Sequence, residues 1–433
     1  MPWCWHEPQP GVFDFTGATD PQRNLLRFVR LCDSLGLRLI LKPGPFVDAE
    51  LLGGGIPLWL LQNCPEIHAR RTDGDLWRHF DSNAPRACYL HPVYLAAARR
   101  WIDAFSIAML PFQHPSGPII ALQADNEIPG DGMLPADVGL DPRLRLDYNV
   151  HVVEYLWRKF AGEGALAPPR ALTPPSTVAD LERYLMLETF TDQWYAQALA
   201  AVVDMLHAAG WQAPIFHDLS AMARAAGWLG FNVYAEDVAA PFVGGEGYSL
   251  SFEEYVHYGF WRPRLVAALS RDYPVLVAEI SAAQDFYLAT PLMGGAQAIN
   301  VYVAAQAHPD NPMIGALPRW AMEAPLQPNS SVRRWFWHAK TLFTLLSAAG
   351  PDFTAAACPA SVAIGYSHLP ERVAQHTSET LHTITAGCDT GRRAQALAQR
   401  LLRASIAFHV VDVDIATQED LKPIRCSSSL RRR

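Results

Sequence analysis

Two glutamates stand where an apolar run gives way to polar residues. In Gly117-Pro-Ile-Ile-Ala-Leu-Gln-Ala-Asp-Asn-Glu127 the run ends in Asn126 and Glu127, and in Pro274-Val-Leu-Val-Ala-Glu279 it ends in Glu279. A pair of carboxyl groups about 5 Å apart can cleave a glycosidic bond by double displacement, one neutral to protonate the leaving oxygen and one ionised to attack the anomeric carbon. Repulsion at that distance raises one pKa and so supplies the neutral partner. Either glutamate alone is equally well read as a solvated strand end, because strand termini are polar anyway. The pairing favours chemistry.

Only the fold can bring such distant residues together. Short apolar runs alternate with longer helical patterns, which specifies βα units around a parallel sheet. In a closed eight-fold barrel of that kind the reactive groups sit at the C-terminal ends of strands, so both glutamates would face one mouth. Strands are expected over residues 37–41, 118–123, 214–217, 229–234, 275–280 and 298–303, and helices over 94–110, 181–209, 251–270 and 331–348, the third with a Ser251/Glu254 capping box. A first helix should be capped by Asp20, start at Pro21, turn Leu25, Phe28, Val29, Cys32 and Leu35 to the core and stop at Gly36. With residues 1–7 as another strand, the count is one βα unit short of a (β/α)8 TIM barrel, and the missing unit is the first. From about residue 360 the pattern changes to a strand over 362–366, a helix over 392–405, a strand over 406–413 and the start of another near 421–424. The expected organisation is a barrel domain over 1–350 and a smaller α/β domain over 360–433.

Composition narrows the function. Half of the 433 residues are hydrophobic and 18% are charged, which excludes wholesale disorder. No apolar run reaches the roughly 20 residues of a spanning helix. Thirty-five basic against 43 acidic residues give a net charge of −8, so no basic field exists for nucleic acid. A neutral substrate fits better. Seven scattered cysteines without a CxxC pair indicate neither a disulfide scaffold nor a zinc ribbon and favour a reducing compartment. No signal peptide is visible, so a cytoplasmic location is favoured, although an incomplete N-terminus would weaken that reading. The histidines lack HExxH spacing, and hydrogen-bonding roles are expected for His6 and His217. No metal is required. GxGxxG, GxxxxGK(S/T) and GxSxG are absent, so nucleotide-dependent and serine-hydrolase chemistries lack support, and no cofactor is expected.

Four longer segments carry a family resemblance. Trp3-Cys-Trp-His-Glu-Pro-Gln-Pro-Gly-Val-Phe-Asp-Phe15, Lys42-Pro-Gly-Pro-Phe-Val-Asp-Ala-Glu50 with Gly53-Gly-Gly-Ile-Pro-Leu-Trp-Leu60, Gly117–Glu127, and Ile299-Asn-Val-Tyr302 with Ala324-Pro-Leu326 resemble the retaining β-galactosidases of glycoside hydrolase family 35. The resemblance runs through roughly the first 350 residues. It implies Glu127 as general acid/base, Glu279 as nucleophile, Asn126 as partner of the 2-hydroxyl, and Ala49 and Glu50 as binders of the terminal galactose. Phe46 stands in place of a tyrosine, Asp48 in place of a cysteine, and Asp125 and Ile128 in place of the glutamate and tyrosine that flank the Asn-Glu pair. Phe46 and Asp48 thereby become candidates for sugar selection. Tyr302 either hydrogen-bonds the nucleophile or is a buried tyrosine with a satisfied hydroxyl. Of the thirteen tryptophans, about two-thirds are expected in the core, and Trp3, Trp5, Trp59 and Trp320 are the subsite candidates.

The C-terminal unit looks like the start of the flavodoxin-like domain that follows the barrel in some family 42 galactosidases, with a structural or homo-oligomer-forming role expected. The reading is therefore a retaining exo-β-glycosidase acting on a β-galactoside. The same machinery on another β-linked sugar, or a catalytically impaired carbohydrate-binding barrel, are the alternatives.

Overall fold

The structure, a computed structural model, describes residues 1–48, 51–79, 83–127, 146–162, 164–168, 176–219, 229–233, 252–270, 273–280, 285–306, 324–356, 360–367, 370, 373 and 390–418. The chain forms two compact units. One comprises Met1–Thr173, Met186–Trp228 and Pro309–Pro318; the other comprises Pro174–Leu185, Leu229–His308 and Arg319–Arg433.

The first unit opens on a helical turn, α1 (Trp3–His6), where apolar spacing suggests a strand. Side-chain bonding decides against the strand: the Glu7 carboxylate accepts the Trp3 indole N–H and the Gly11 backbone N–H, which curls the segment on itself. Asp20 caps a short 3-10 turn over Pro21–Arg23, and Asn24 caps the helix proper, α2 (Leu25–Ser34), by accepting the Arg27 N–H. The expected core face of α2 is wider than the observed one. Val29 and Cys32 are buried, whereas Phe28 and Leu35 are 52% and 66% exposed. At about 100° per residue these two lie some 60–80° round the helix from Leu25, beyond the contact line. Gly36, at φ 71, ends the helix as expected.

Three parallel strands follow: β1 (Leu39–Gly44), β2 (Ile119–Ala124) and β3 (Ile215–Leu219), with β1 beside β2 and β2 beside β3. Between β1 and β2 come the short α3 (Leu58–Asn63) and the long α4 (Pro92–Met109). Tyr94, Ala97, Ala98, Trp101, Ile102, Phe105 and Met109 of α4 recur every three or four residues and are all buried. Trp101 anchors this core, stacked on Trp3 and Phe15 at centroid distances of 6.2 and 5.8 Å, with its indole N–H on the Pro43 carbonyl. Between β2 and β3 lie α5 (Trp157–Ala161) and α6 (Val178–Ala208). Phe190, Trp194, Ala198, Val202 and Met205 of α6 join the same core.

The second unit alternates β4 (Leu229–Val233), α7 (Phe252–Ser270), β5 (Leu276–Ile280), α8 (Asp285–Met293) and β6 (Ala298–Val301), the strands pairing in parallel in that order. A Cβ on Gly259 of α7 would lie 2.4 Å from Thr290 Cγ2 of α8, so glycine is what lets these helices touch. Next come α9 (Arg334–Ala349) and α10 (Pro351–Ala355), then the βαβ element β7 (Val362–Tyr366), α11 (Thr390–Arg403) and β8 (Phe408–Asp412), again parallel. Arg264 of α7 clamps it, donating to the carbonyls of Phe408 and Gly294 at 2.7 and 2.6 Å with its guanidinium over the Phe260 and Phe408 rings. The expected capping box at Ser251/Glu254 and the strand near 421–424 lie outside the described residues. Among the described residues no helix is long and apolar enough to cross a membrane.

Candidate active site

At the end of β2 the chain makes a turn unusual for side-chain-bearing residues. Asp125 and Glu127 have φ of 58 and 47, flanking Asn126. The turn is held strand by strand. The Asp125 N–H donates to the Gly44 carbonyl of β1 at 3.2 Å, the Asn126 N–H to Asp125 Oδ1 at 2.9 Å, and the Glu127 N–H to Asp218 Oδ1 at 3.1 Å. Asn126 is 3% exposed, and its side-chain carbonyl accepts from Lys42 Nζ of β1 at 2.5 Å and from Gln123 Nε2 at 3.4 Å. Those two donors fix the orientation of the amide and leave its NH2 group to meet a ligand hydroxyl. Burial pushes the Asp125 carboxyl up to about 8; the Asn126 N–H opposes this, the Asp218 carboxylate adds to it, and Lys42 and Arg86 oppose it further. Asp125 is thus largely protonated at neutral pH.

The loop after β1 lies in the same unit. Phe46 is buried edge-on to His79 and Tyr89, and Asp48, at φ 49, has Oδ1 2.6 Å from His79 Nε2. The N–H groups of Val47 and Asp48 both reach the Gly54 carbonyl. Tyr89 is fully buried, and burial, then the Asp125 charge, holds its hydroxyl well above the usual phenol range. Ala49, Glu50 and Trp320 lie outside the described residues. Trp3 is 0% exposed inside the α4 core, so its ring has no face for a sugar, contrary to expectation. Trp5 is covered by the Arg23 guanidinium at 4.6 Å, and Trp59 donates to the Glu7 carbonyl. His6 and His217 have the expected hydrogen-bonding roles, with Nδ1 on the carbonyls of Asp14 and Ala124 respectively.

In the second unit every residue of β5 is buried, and Glu279, 7% exposed, pairs in register with Asn232 of β4. Beyond β6 the Tyr302 N–H donates to the Ile280 carbonyl, and Asn300 Nδ2 donates to the Ala278 carbonyl. Glu279 and Tyr302 therefore stand at the ends of adjacent strands. Among the described residues no group of three His, Cys, Asp or Glu could hold a metal ion.

Lys42, His79 and Asp218 were not singled out from sequence. Asp218 carries the same signal as the glutamates, a carboxylate directly after the apolar run at 214–217. Lys42 is a lysine inside an apolar strand, Leu39-Ile-Leu-Lys42, where a charge is out of place unless something buried needs it.

Residues 1–133 match the family described as Glycosyl hydrolases family 35. An exo-beta-D-glucosaminidase of Thermococcus kodakarensis is 45% identical over 126 residues, which are 29% of this chain and 16% of that protein. The human beta-galactosidase is 35% identical over 128 residues, again 29% and 16%. The matched stretch is thus about a sixth of the length of these relatives. Solved beta-galactosidases share the fold along nearly the whole chain. That from Bacillus circulans sp. alkalophilus matches at a TM-score of 0.64 and 14% identity, covering 98% of this chain and 60% of that one. That from Rahnella sp. R3 matches at 0.61 and 14%, with the same coverage. The chain accordingly has the α/β fold of TIM-barrel glycoside hydrolases, and its first third carries the sequence signature of family 35.

Proposed function

We propose that this chain carries the catalytic barrel of a retaining exo-β-glycosidase, over residues 1–350, with 360–433 as a partial flavodoxin-like domain. Glu127 protonates the leaving oxygen, Glu279 attacks the anomeric carbon, and Asn126 donates to the 2-hydroxyl as oxocarbenium charge develops. Ala49, Glu50, Phe46, Asp48 and Trp320 shape the pocket for the terminal sugar, and Tyr302 orients the nucleophile. The observation that carries this reading is the Asn126 side chain, whose oxygen is occupied by Lys42 and Gln123 and whose NH2 is thereby committed to donation beside Glu127. A terminal β-galactoside is the substrate on this reading, in line with the galactosidases that share the fold.

A β-glucosaminide is a second reading, favoured by one feature. Asp125 lies buried next to the residue assigned to the sugar 2-position, and an ammonium at that position would draw it into the ionised form by offsetting its burial. The experiment is hydrolysis of 4-nitrophenyl β-galactoside, β-glucoside, β-fucoside, β-mannoside and β-glucosaminide, with trapping by the corresponding 2-deoxy-2-fluoro-galactoside. Aglycone release and a covalent label on the peptide containing Glu279 are expected. Sugar binding without release on any substrate would reduce the chain to a carbohydrate-binding barrel.

A further inference from the structure

We propose that Asp218 is the positioning residue of the acid/base: its carboxylate holds the Glu127 backbone in the left-handed conformation from which the Glu127 side chain works. The proposal rests on the acid/base reading of Glu127.

Left-handed backbone is disfavoured for a residue with a side chain, and it persists where surrounding bonds over-determine it. Of the three N–H groups in the 125–127 turn, the first is held by β1 and the second by the turn's own Asp125. Asp218 Oδ1 holds the third, that of Glu127 itself, at 3.1 Å. The clasp is double. β2 and β3 run parallel with Gln123 opposite Phe216, and beyond that pair His217 Nδ1 meets the Ala124 carbonyl while Asp218 meets Glu127. Consecutive residues of one strand end thus grip both ends of the turn that presents Asn126 and Glu127.

Asp218 is held at a cost. It is 0% exposed, and its second oxygen, Oδ2, is buried without a partner among the described residues. An apolar residue would fill the strand end more cheaply, because a buried acceptor left unbonded is destabilising. The position makes sense if what matters is the acceptor aimed at Glu127. With no exposed surface, Asp218 acts through the placement of the Glu127 carboxyl, where a shift of about 1 Å costs on the order of a hundredfold in rate.

The test compares Asp218→Ala, Asp218→Asn and Glu127→Gln on glycosides of one sugar whose leaving groups run from alkyl alcohols to 2,4-dinitrophenol. A misplaced acid harms only substrates that need protonation. Asp218→Ala should lower kcat about ten- to a hundredfold on alkyl glycosides with KM little changed, and much less in glycosylation from the dinitrophenyl glycoside. Asp218→Asn keeps an acceptor oxygen for the Glu127 N–H and should recover most of the loss. An equal loss across leaving groups, or full activity in Asp218→Ala, would overturn the proposal. Should the alanine variant fail to fold, Asp218→Asn decides: a loss as deep and as leaving-group-dependent as that of Glu127→Gln refutes acceptor placement. A leaving-group-independent loss in Glu127→Gln would instead sink the acid/base reading, and this proposal with it.

Discussion

Gly54 is the residue on which the loop after β1 turns, and replacing it with alanine should cost more than backbone strain alone. Its φ is 61, and an added Cβ would lie 2.0 Å from Cε2, 2.6 Å from Cδ2 and 2.9 Å from Cζ of Phe46. That ring is 2% exposed and packed against His79 and Tyr89, so it cannot swing into solvent. The left-handed backbone costs an L-residue about 1–2 kcal/mol, and forcing a methyl into a packed site adds about 1–3 kcal/mol. Reduced freedom of the unfolded chain returns about 0.4–1 kcal/mol, leaving a net loss of roughly 1–5 kcal/mol. Gly36→Ala is the control, because Gly36 has φ 71 but nothing within 4 Å of the added Cβ; it should lose only the backbone part. Urea midpoints at constant slope measure both. Gly54→Ala should also lower kcat/KM, since the Gly54 carbonyl accepts from Val47 and Asp48 and carries the loop with it. Equal midpoints for the two variants would show that the ring adapts freely and that the clash argument is wrong.

Other outcomes follow from the same geometry. Lys42→Met removes the donor that orients Asn126 and should lower kcat/KM about five- to a hundredfold, an effect that should largely vanish on a 2-deoxy glycoside; a persistent effect would assign Lys42 to stability. Asp125, raised from 3.8 to about 8, binds a proton in the folded state that the unfolded chain has released, so its contribution to stability declines as pH rises between those values. Asp125→Asn should flatten that decline, and urea midpoints that diverge from wild type as pH rises from 3.8 to about 8 would confirm it. His6, lowered from 6.5 to about 4 by burial, acts in the other sense: stability is lost as pH falls through that interval, and His6→Gln should remove that part of the acid limb. Arg264→Lys cannot reach the Phe408 and Gly294 carbonyls at once, so amide exchange in β7 and β8 should quicken while β1–β3 are unaffected.

How far the sequence discloses this molecule depends on what each signal measures. The strands are legible because a strand buried on both faces is apolar at nearly every position, as β5 is apart from Glu279, and such runs are hard to mistake once turn residues bound them. Residues 1–7 misled because a short apolar pattern does not register that Glu7 bonds Trp3 and Gly11. The α2 face was overestimated for a related reason: periodicity gives the direction of a stripe, and the width of the contact is set by the partner. Trp3 opens a matched motif and so looks available to a sugar, yet a match in sequence says nothing about which ring face is already covered.

The same distinction runs through the candidate site. Glu127, Glu279 and Asn126 announce themselves as polar residues at strand ends, but what makes Asn126 a donor rather than an acceptor is Lys42, and what makes the Glu127 backbone sit where it does is Asp218. Both supports lie far away in sequence and become neighbours only because β1, β2 and β3 align in parallel. A motif records which chemistry is present. The accounting of buried donors and acceptors across adjacent strand ends decides which way that chemistry faces, and it exists only once the sheet has formed. Lys42 within an apolar strand and Asp218 after an apolar run are where that accounting leaves a trace in the sequence, since neither charge is tolerable at its position without a buried partner.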